Sequence, residues 1–358
     1  MSRSVAVVCP DVLPMLLESA AAPYREPAVQ CLHLVEELHA RGWQLAFLTT
    51  VSGSRDARAL PSRLGPTHVL GTDAAEGWWA RRRRARRLHR ALRQLPGDVV
   101  LRWDAPFPPA PAPAWPVPRP HVHLLTGERA PRRRRFAAAA SLAQGAAQLW
   151  VPSVGFGARL GRAQRRAAVL PPGFPLPEAP GTRRRGIAWV GPLDPDSGAD
   201  VLLDLADAFP STGFTMCAQP GVEPLYAARV AQRARALGNV RFQDDAAYAD
   251  VLQQLGSARL LVSTARNCDL TARTVLAWQR GAVVVSLVSD PDRLLREHKV
   301  GLRCRDPHTL FEAVRRGLED DATCAELRAR ARRFAEERFD VQRVATHCER
   351  LLETLLAS

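Results

Sequence analysis

A chain of 358 residues, 46% of them hydrophobic, can bury one or two sizeable cores, and the length favours two domains. No apolar run approaches a membrane span, and no helix-turn-helix, zinc or RNA-reading motif accompanies the charge, which argues against a nucleic-acid role. The net charge of +14 is lopsided, with 25 arginines and 12 acids in residues 1–180 against 25 basic residues and 24 acids in 181–358.

The chain opens on Val5 to Cys9, an apolar run broken by Pro10. It is too short for a signal peptide and reads as a first buried strand. A helix follows over about Pro27 to Ala40, with Leu32, Leu34, Val35 and Leu38 on one face and Gly42 at its end. Gln44 to Thr49 then reads as the next strand. The arginine-rich stretch from Trp78 to Leu95 is a helix with two readings: a solvated face, or a surface for an anionic membrane or acidic acceptor, since cationic helices with Trp at one end lie on headgroups. Forty-nine arginines against one lysine point to a GC-rich coding bias, but such a bias leaves the asymmetry in sign unexplained. A strand over Asp98 to Trp103 precedes the proline-rich run 105–120, which must be an extended loop.

His121 and His123 lie on the next strand, and Leu149 to Ser153 forms another. A strand histidine has a structural reading and a catalytic one, and His123 is the catalytic candidate. The Pro- and Gly-rich stretch from Val169 into 182 reads as a linker. Expected boundaries are 1–177 for the first domain, 178–340 for the second, and 341–358 for a helix crossing back to the first. Seven cysteines without a C-x-x-C pair or metal-like spacing suggest reduced thiols in a cytoplasmic protein, with neither zinc nor disulfides.

The most informative stretch is Arg259 to Leu287. Leu260 to Val262 is a strand, a polar loop follows, a helix runs from about Thr271 to Arg280, and Gly281 leads into the β-branched run Val283 to Val285. In a parallel sheet the start of such a helix points its amides into the crevice, where a phosphate is at home. Asp269 and Thr271 each have a second reading as helix caps.

With Gly281 as anchor, this unit resembles the Ser-x-x-Glu, seven residues, Glu-Ala-Met-Ala-x-Gly unit of glycosyltransferase family 4. The order of G-I-A-W-V-G-P-L-D-P-D-S-G, G-N-V-R-F and the closing segments resembles the same family over nearly the whole chain. The resemblance implies an α/β protein of GT-B fold, two Rossmann-like domains with parallel sheets facing across a cleft. It implies a retaining, metal-independent hexosyltransferase of bacterial polysaccharide biosynthesis that takes a UDP- or GDP-linked sugar as substrate and needs no cofactor. Set against the family, the donor-contact candidates of this chain are Gly191, Ser197, Asn267 and Thr271, with Arg266 and Arg273 flanking the helix start to replace lost charge; Thr126 falls near the family's usual His, so the catalytic candidates are His123, earlier on that strand, and Asp269, one residue from a missing carboxylate. The chain departs from the family at several places: Cys268 and Leu276 stand where two glutamates belong, Pro192 and Ser197 replace an Arg and a Lys, and Arg25 and Glu26 replace a Gly-Gly turn. These losses open the alternative of a catalytically degenerate partner or regulatory subunit of an active glycosyltransferase. Location is expected to be cytoplasmic, either free or peripheral to the inner face of the membrane.

Overall fold

The computed structural model describes residues 3–19, 21–52, 57–72, 86–87, 90–103, 119–126, 147–160, 164–165, 167–177, 184–266 and 269–357. Arg81 to Arg84, the proline-rich run 105–118, Asn267 and Cys268 lie outside them.

Two sheets organise the chain. The first contains β1 (Ser4–Val8), β2 (Gln44–Ser52), β3 (Ala57–Ser62), β4 (Gly65–Thr72), β5 (Val99–Trp103), β6 (His121–Leu124), β7 (Gln148–Val151) and β8 (Ala167–Val169), in the order β3-β4-β2-β1-β5-β6-β7-β8. Its pairings are parallel except for β3, an antiparallel edge strand on β4. The second contains β9 (Ile187–Pro192), β10 (Phe214–Gln219), β11 (Val240–Gln243), β12 (Leu260–Ser263), β13 (Val283–Leu287) and β14 (Gly301–Cys304), in the order β11-β10-β9-β12-β13-β14, parallel throughout. These are two Rossmann-like units.

Parallel sheets covered on both faces need apolar residues on both sides of each strand. Alternation in β1 and β5 meets that need. Val5, Val7, Leu101 and Trp103 face one cluster with the crossover helix Glu26–Ala40, while Ala6, Val8 and Val100 face another with Leu92 and Leu95. The first cluster does not stop at the domain boundary. It continues through Ala188, Val190 and Leu261 of the second sheet and through Val275, Leu276 and Trp278 of the helix Ala272–Arg280. The two domains therefore share one apolar core, and the charge-free Leu276 is part of it.

The last helix, Val341–Ala357, adds Val344, Cys348 and Leu352 to that same cluster. Polar contacts fix it to the first domain: Arg41 donates to Glu349, Thr346 and the Gln342 carbonyl, and Trp43 Nε1 donates to Glu349 Oε1 at 2.9 Å. Although burial opposes it, the hydrogen bonds from Trp43 and Arg41 hold the Glu349 carboxyl below the usual range.

Candidate functional site

The carboxyl ends of β9 and β12 place two helix starts beside the first domain. At the first, β9 ends in Gly191 and Pro192, a short turn Pro195–Ser197 follows, and the helix Ala199–Ala208 begins after Gly198. Gly198 has φ 66°, and a Cβ there would stand 2.7 Å from the Thr264 carbonyl oxygen, so both conformation and space call for glycine. Ser197 is buried; its Oγ donates to the Asp194 carbonyl at 2.5 Å, and its own carbonyl accepts from Thr264 Oγ1 at 2.6 Å. Thr264 Oγ1 in turn accepts from Trp189 Nε1 at 2.8 Å. Arg266 is exposed, and its amide donates to the Asp196 carbonyl. Gly191, Ser197 and Arg266 thus gather on one side, with a proline and a hydroxyl at 192 and 197.

The second start is that of Ala272–Arg280. Thr271 is its extended N-cap (φ −106°, ψ 155°), but its hydroxyl pairs with Thr274 Oγ1 rather than with a backbone amide. The Ala272 amide is taken by Glu26 Oε1 of the first domain at 2.9 Å. Glu26 is fully buried, accepts also from Gln30 Nε2 at 3.1 Å, and its Oε2 lies 3.8 Å from Arg273 Nη1. Arg273 is itself only 3% exposed. An N-terminal amide plus a cation is an arrangement that holds an anion. Here the anion is a side chain of the chain itself.

Asp269 is equally enclosed, at 3% exposure. Ser153 Oγ donates to its Oδ1 at 2.6 Å, the Leu270 amide donates to the same oxygen at 2.8 Å, and the Arg159 guanidinium pairs with Oδ2. Ser153 also caps the short helix Val154–Ala158 by accepting from the Phe156 amide at 3.0 Å. Asp292 reaches back from the second domain to the amides of Val154 (2.9 Å) and Gly155 (2.6 Å). Around the Glu26 end, the Tyr24 amide donates to the Ala246 carbonyl and the Tyr248 amide to that of Ala22, both at 2.9 Å, and Arg25 pairs with Asp245 at 2.6 Å. Asp11 faces this pair; burial raises its carboxyl, Arg25 opposes the rise and Asp245 adds to it.

Of the residues singled out in the sequence, Asp269, Thr271 and Arg273 meet at the second helix start and Gly191, Ser197 and Arg266 at the first, while Asn267 is outside the described residues. His123 lies on β6, buried, beside Arg102 of β5 and Leu149 of β7, on the sheet face opposite the crossover helix. Among the described residues the hydrogen-bond partners of Asp269 are Ser153, Arg159 and Leu270, so the two catalytic candidates are not brought into contact. Glu26 and Arg159 complete the site without having been singled out for it. For Glu26 the signal was its place where bare backbone belongs; no motif marks Arg159.

No family model and no curated protein matches the sequence. Solved structures do match over almost the whole chain. Sucrose-phosphate synthase from Thermosynechococcus elongatus is 16% identical and superposes with a TM-score of 0.78, covering 99% of each chain. HepE from Anabaena, in complex with UDP-glucose, is 14% identical with a TM-score of 0.71, covering 98% of this chain and 99% of its own. WaaG, a glycosyltransferase involved in lipopolysaccharide biosynthesis, is 14% identical with a TM-score of 0.68, covering 96% of this chain and 98% of its own. The fold is therefore GT-B, two Rossmann-like domains whose sheets face across a cleft.

Proposed function

We propose that the chain is a glycosyltransferase that moves a hexosyl group from a UDP- or GDP-linked donor to an acceptor, with retention and without a metal. The observation that carries this reading is the start of the helix Ala272–Arg280. Its first amide and Arg273 converge on one buried anion position at the carboxyl edge of the second sheet, where open α/β sheets bind ligands. HepE, of like fold, was solved with UDP-glucose. In the transfer, the bond from the sugar's anomeric carbon to the diphosphate breaks, one from that carbon to an acceptor oxygen forms on the same face, and the acceptor's proton passes to the leaving diphosphate. The developing charge is met by the Ala272 amide, Arg273 and the exposed Arg266, with Gly191, Ser197 and Thr271 shaping the walls. Asp269 orients the start of this helix through Ser153, Arg159 and the Leu270 amide, and His123 stands in the first sheet, the domain proposed to take the acceptor.

A second reading, a catalytically degenerate partner of an active glycosyltransferase, is favoured by Pro192 and Ser197. Neither can neutralise a diphosphate, and the Ser197 hydroxyl is already spent on Asp194. Thermal shift with UDP-, GDP- and dTDP-sugars separates the two. A rise of several degrees with one saturating donor is expected; no shift with any of them removes the enzyme reading.

Among the described residues no helix is long and apolar enough to cross a membrane. The basic first half is proposed to meet an anionic membrane surface or acidic acceptor. Replacing Arg81 to Arg84 by Ala is expected to weaken sedimentation with anionic liposomes, most at low salt; equal sedimentation at every salt concentration rejects the contact.

A further inference from the structure

One carboxylate belongs to the start of one helix and caps the start of another. Glu26 is the first residue of the crossover helix Glu26–Ala40, and its side chain also takes the first amide of Ala272–Arg280. A negative charge is favoured at each of these positions by the helix dipole and the unpaired amides. Arg273 adds a buried cation 3.8 Å from the second oxygen. The position is thus built for an anion and filled from within. The backbone that delivers Glu26 is itself fastened to the second domain, through Tyr24 to Ala246, Ala22 to Tyr248, the antiparallel bridge between Pro23 and Ala247, and the Arg25–Asp245 pair.

We propose that Glu26 is an autoinhibitory latch: it holds the anion position of the cleft helix in the absence of a donor, and an incoming diphosphate binds by displacing it. The idea rests on the nucleotide-sugar reading above and adds its regulation. A diphosphate and Glu26 cannot share the Ala272 amide, and their charges repel. Binding therefore requires the 22–26 segment to leave the 245–248 segment, so donor binding and separation of the domains become one event. The apparent affinity of the resting chain is lowered by the fraction of time the latch is shut.

The test is titration calorimetry with inorganic pyrophosphate and, separately, UDP, on the full chain and on Glu26→Ala, Glu26→Gln and Asp245→Asn. Glu26→Ala is expected to bind pyrophosphate at least tenfold more tightly than the natural chain, and Arg273→Ala in that background to abolish the gain. Glu26→Gln keeps the volume and loses the charge, and a smaller gain is expected. Asp245→Asn frees Arg25 at the surface and is expected to tighten binding two- to threefold, so the idea stays testable should the buried variants fail to fold. Unchanged or weaker pyrophosphate binding in every folded variant overturns the latch. UDP binding of equal strength in all of them overturns it too but leaves the nucleotide reading in place. A gain for pyrophosphate with no UDP binding keeps the latch and rejects the nucleotide.

Discussion

The helices Ala199–Ala208 and Ala272–Arg280 both begin at the edge of the second sheet that faces the first domain, and they are closed in opposite ways. The first is closed from inside its own domain by Gly198 in the left-handed region, Ser197 on Asp194 and Thr264 on Ser197. The second is closed from the other domain, by Glu26 on Ala272 and, just ahead of it, by Ser153 and Arg159 on Asp269. One start is local structure and the other is a joint. A change at the first should lower stability and leave the domains as they are; a change at the second should lower stability and also loosen the contact between the domains.

The largest effect is expected from Asp269→Ala, which strips a buried acceptor from Ser153, Arg159 and the Leu270 amide. Chemical denaturation should show a loss of roughly 3 kcal/mol, and small-angle scattering a larger radius of gyration. An unchanged radius would mean that this contact does not hold the domains together. Arg273→Ala follows, at roughly 2 kcal/mol, since it removes a buried cation from beside a buried carboxylate. As a phosphate contact in an open cleft, Arg273 would have cost little stability in the absence of ligand; its burial against Glu26 reverses that expectation, and a melting temperature equal to that of the natural chain would restore it.

At the local start, Thr264→Val leaves the Trp189 indole N–H and the Ser197 carbonyl without this partner. About 1 to 2 kcal/mol should be lost with the radius of gyration unchanged. A change in domain spacing here would erase the contrast between the two starts. The smallest effect lies away from both. Burial, with His123 and Arg102 nearby, lowers His121 from 6.5 to about 4. The folded imidazole stays neutral in that interval while the unfolded one takes up a proton, so this residue makes stability fall as pH drops from about 6.5 to about 4 and has no effect above. In His121→Phe that segment of the stability curve should flatten; a slope identical to that of the natural chain would show that His121 titrates normally.

Much of the fold is legible in the residues. Val283 to Val285 and the glycine at 281, observed at φ 79°, announce a helix end and a buried strand, and the expected helix from about Thr271 is found as Ala272–Arg280. The hairpin of β3 and β4 escapes such reading because its strands carry Pro61 and Pro66, residues that speak against a strand and are tolerated here where they pair beside the turn at the sheet edge. The site divides in the same way. Asp269, Thr271 and Arg273 are near one another in sequence and sit at a recognisable helix start. Their partners are not: Glu26 is 246 positions from Ala272 and Arg159 is 110 from Asp269. Periodicity reports which face of an element is buried, and it contains nothing about which charge of a second domain will be pressed against it.

The helix Val341–Ala357 packs Val344, Cys348 and Leu352 into the core of the domain that begins with Ser4. On the ribosome this places the first domain's completion after the whole second domain has been made. The outer side of the crossover helix, with Arg41 and Trp43 awaiting Glu349, emerges some three hundred residues before its cover, at a time when exposed apolar surface is the principal hazard to a nascent chain. The first half must therefore stay unaggregated as an unfinished core while the whole second domain is made, and the order of synthesis is the reverse of the order in which the first domain can close.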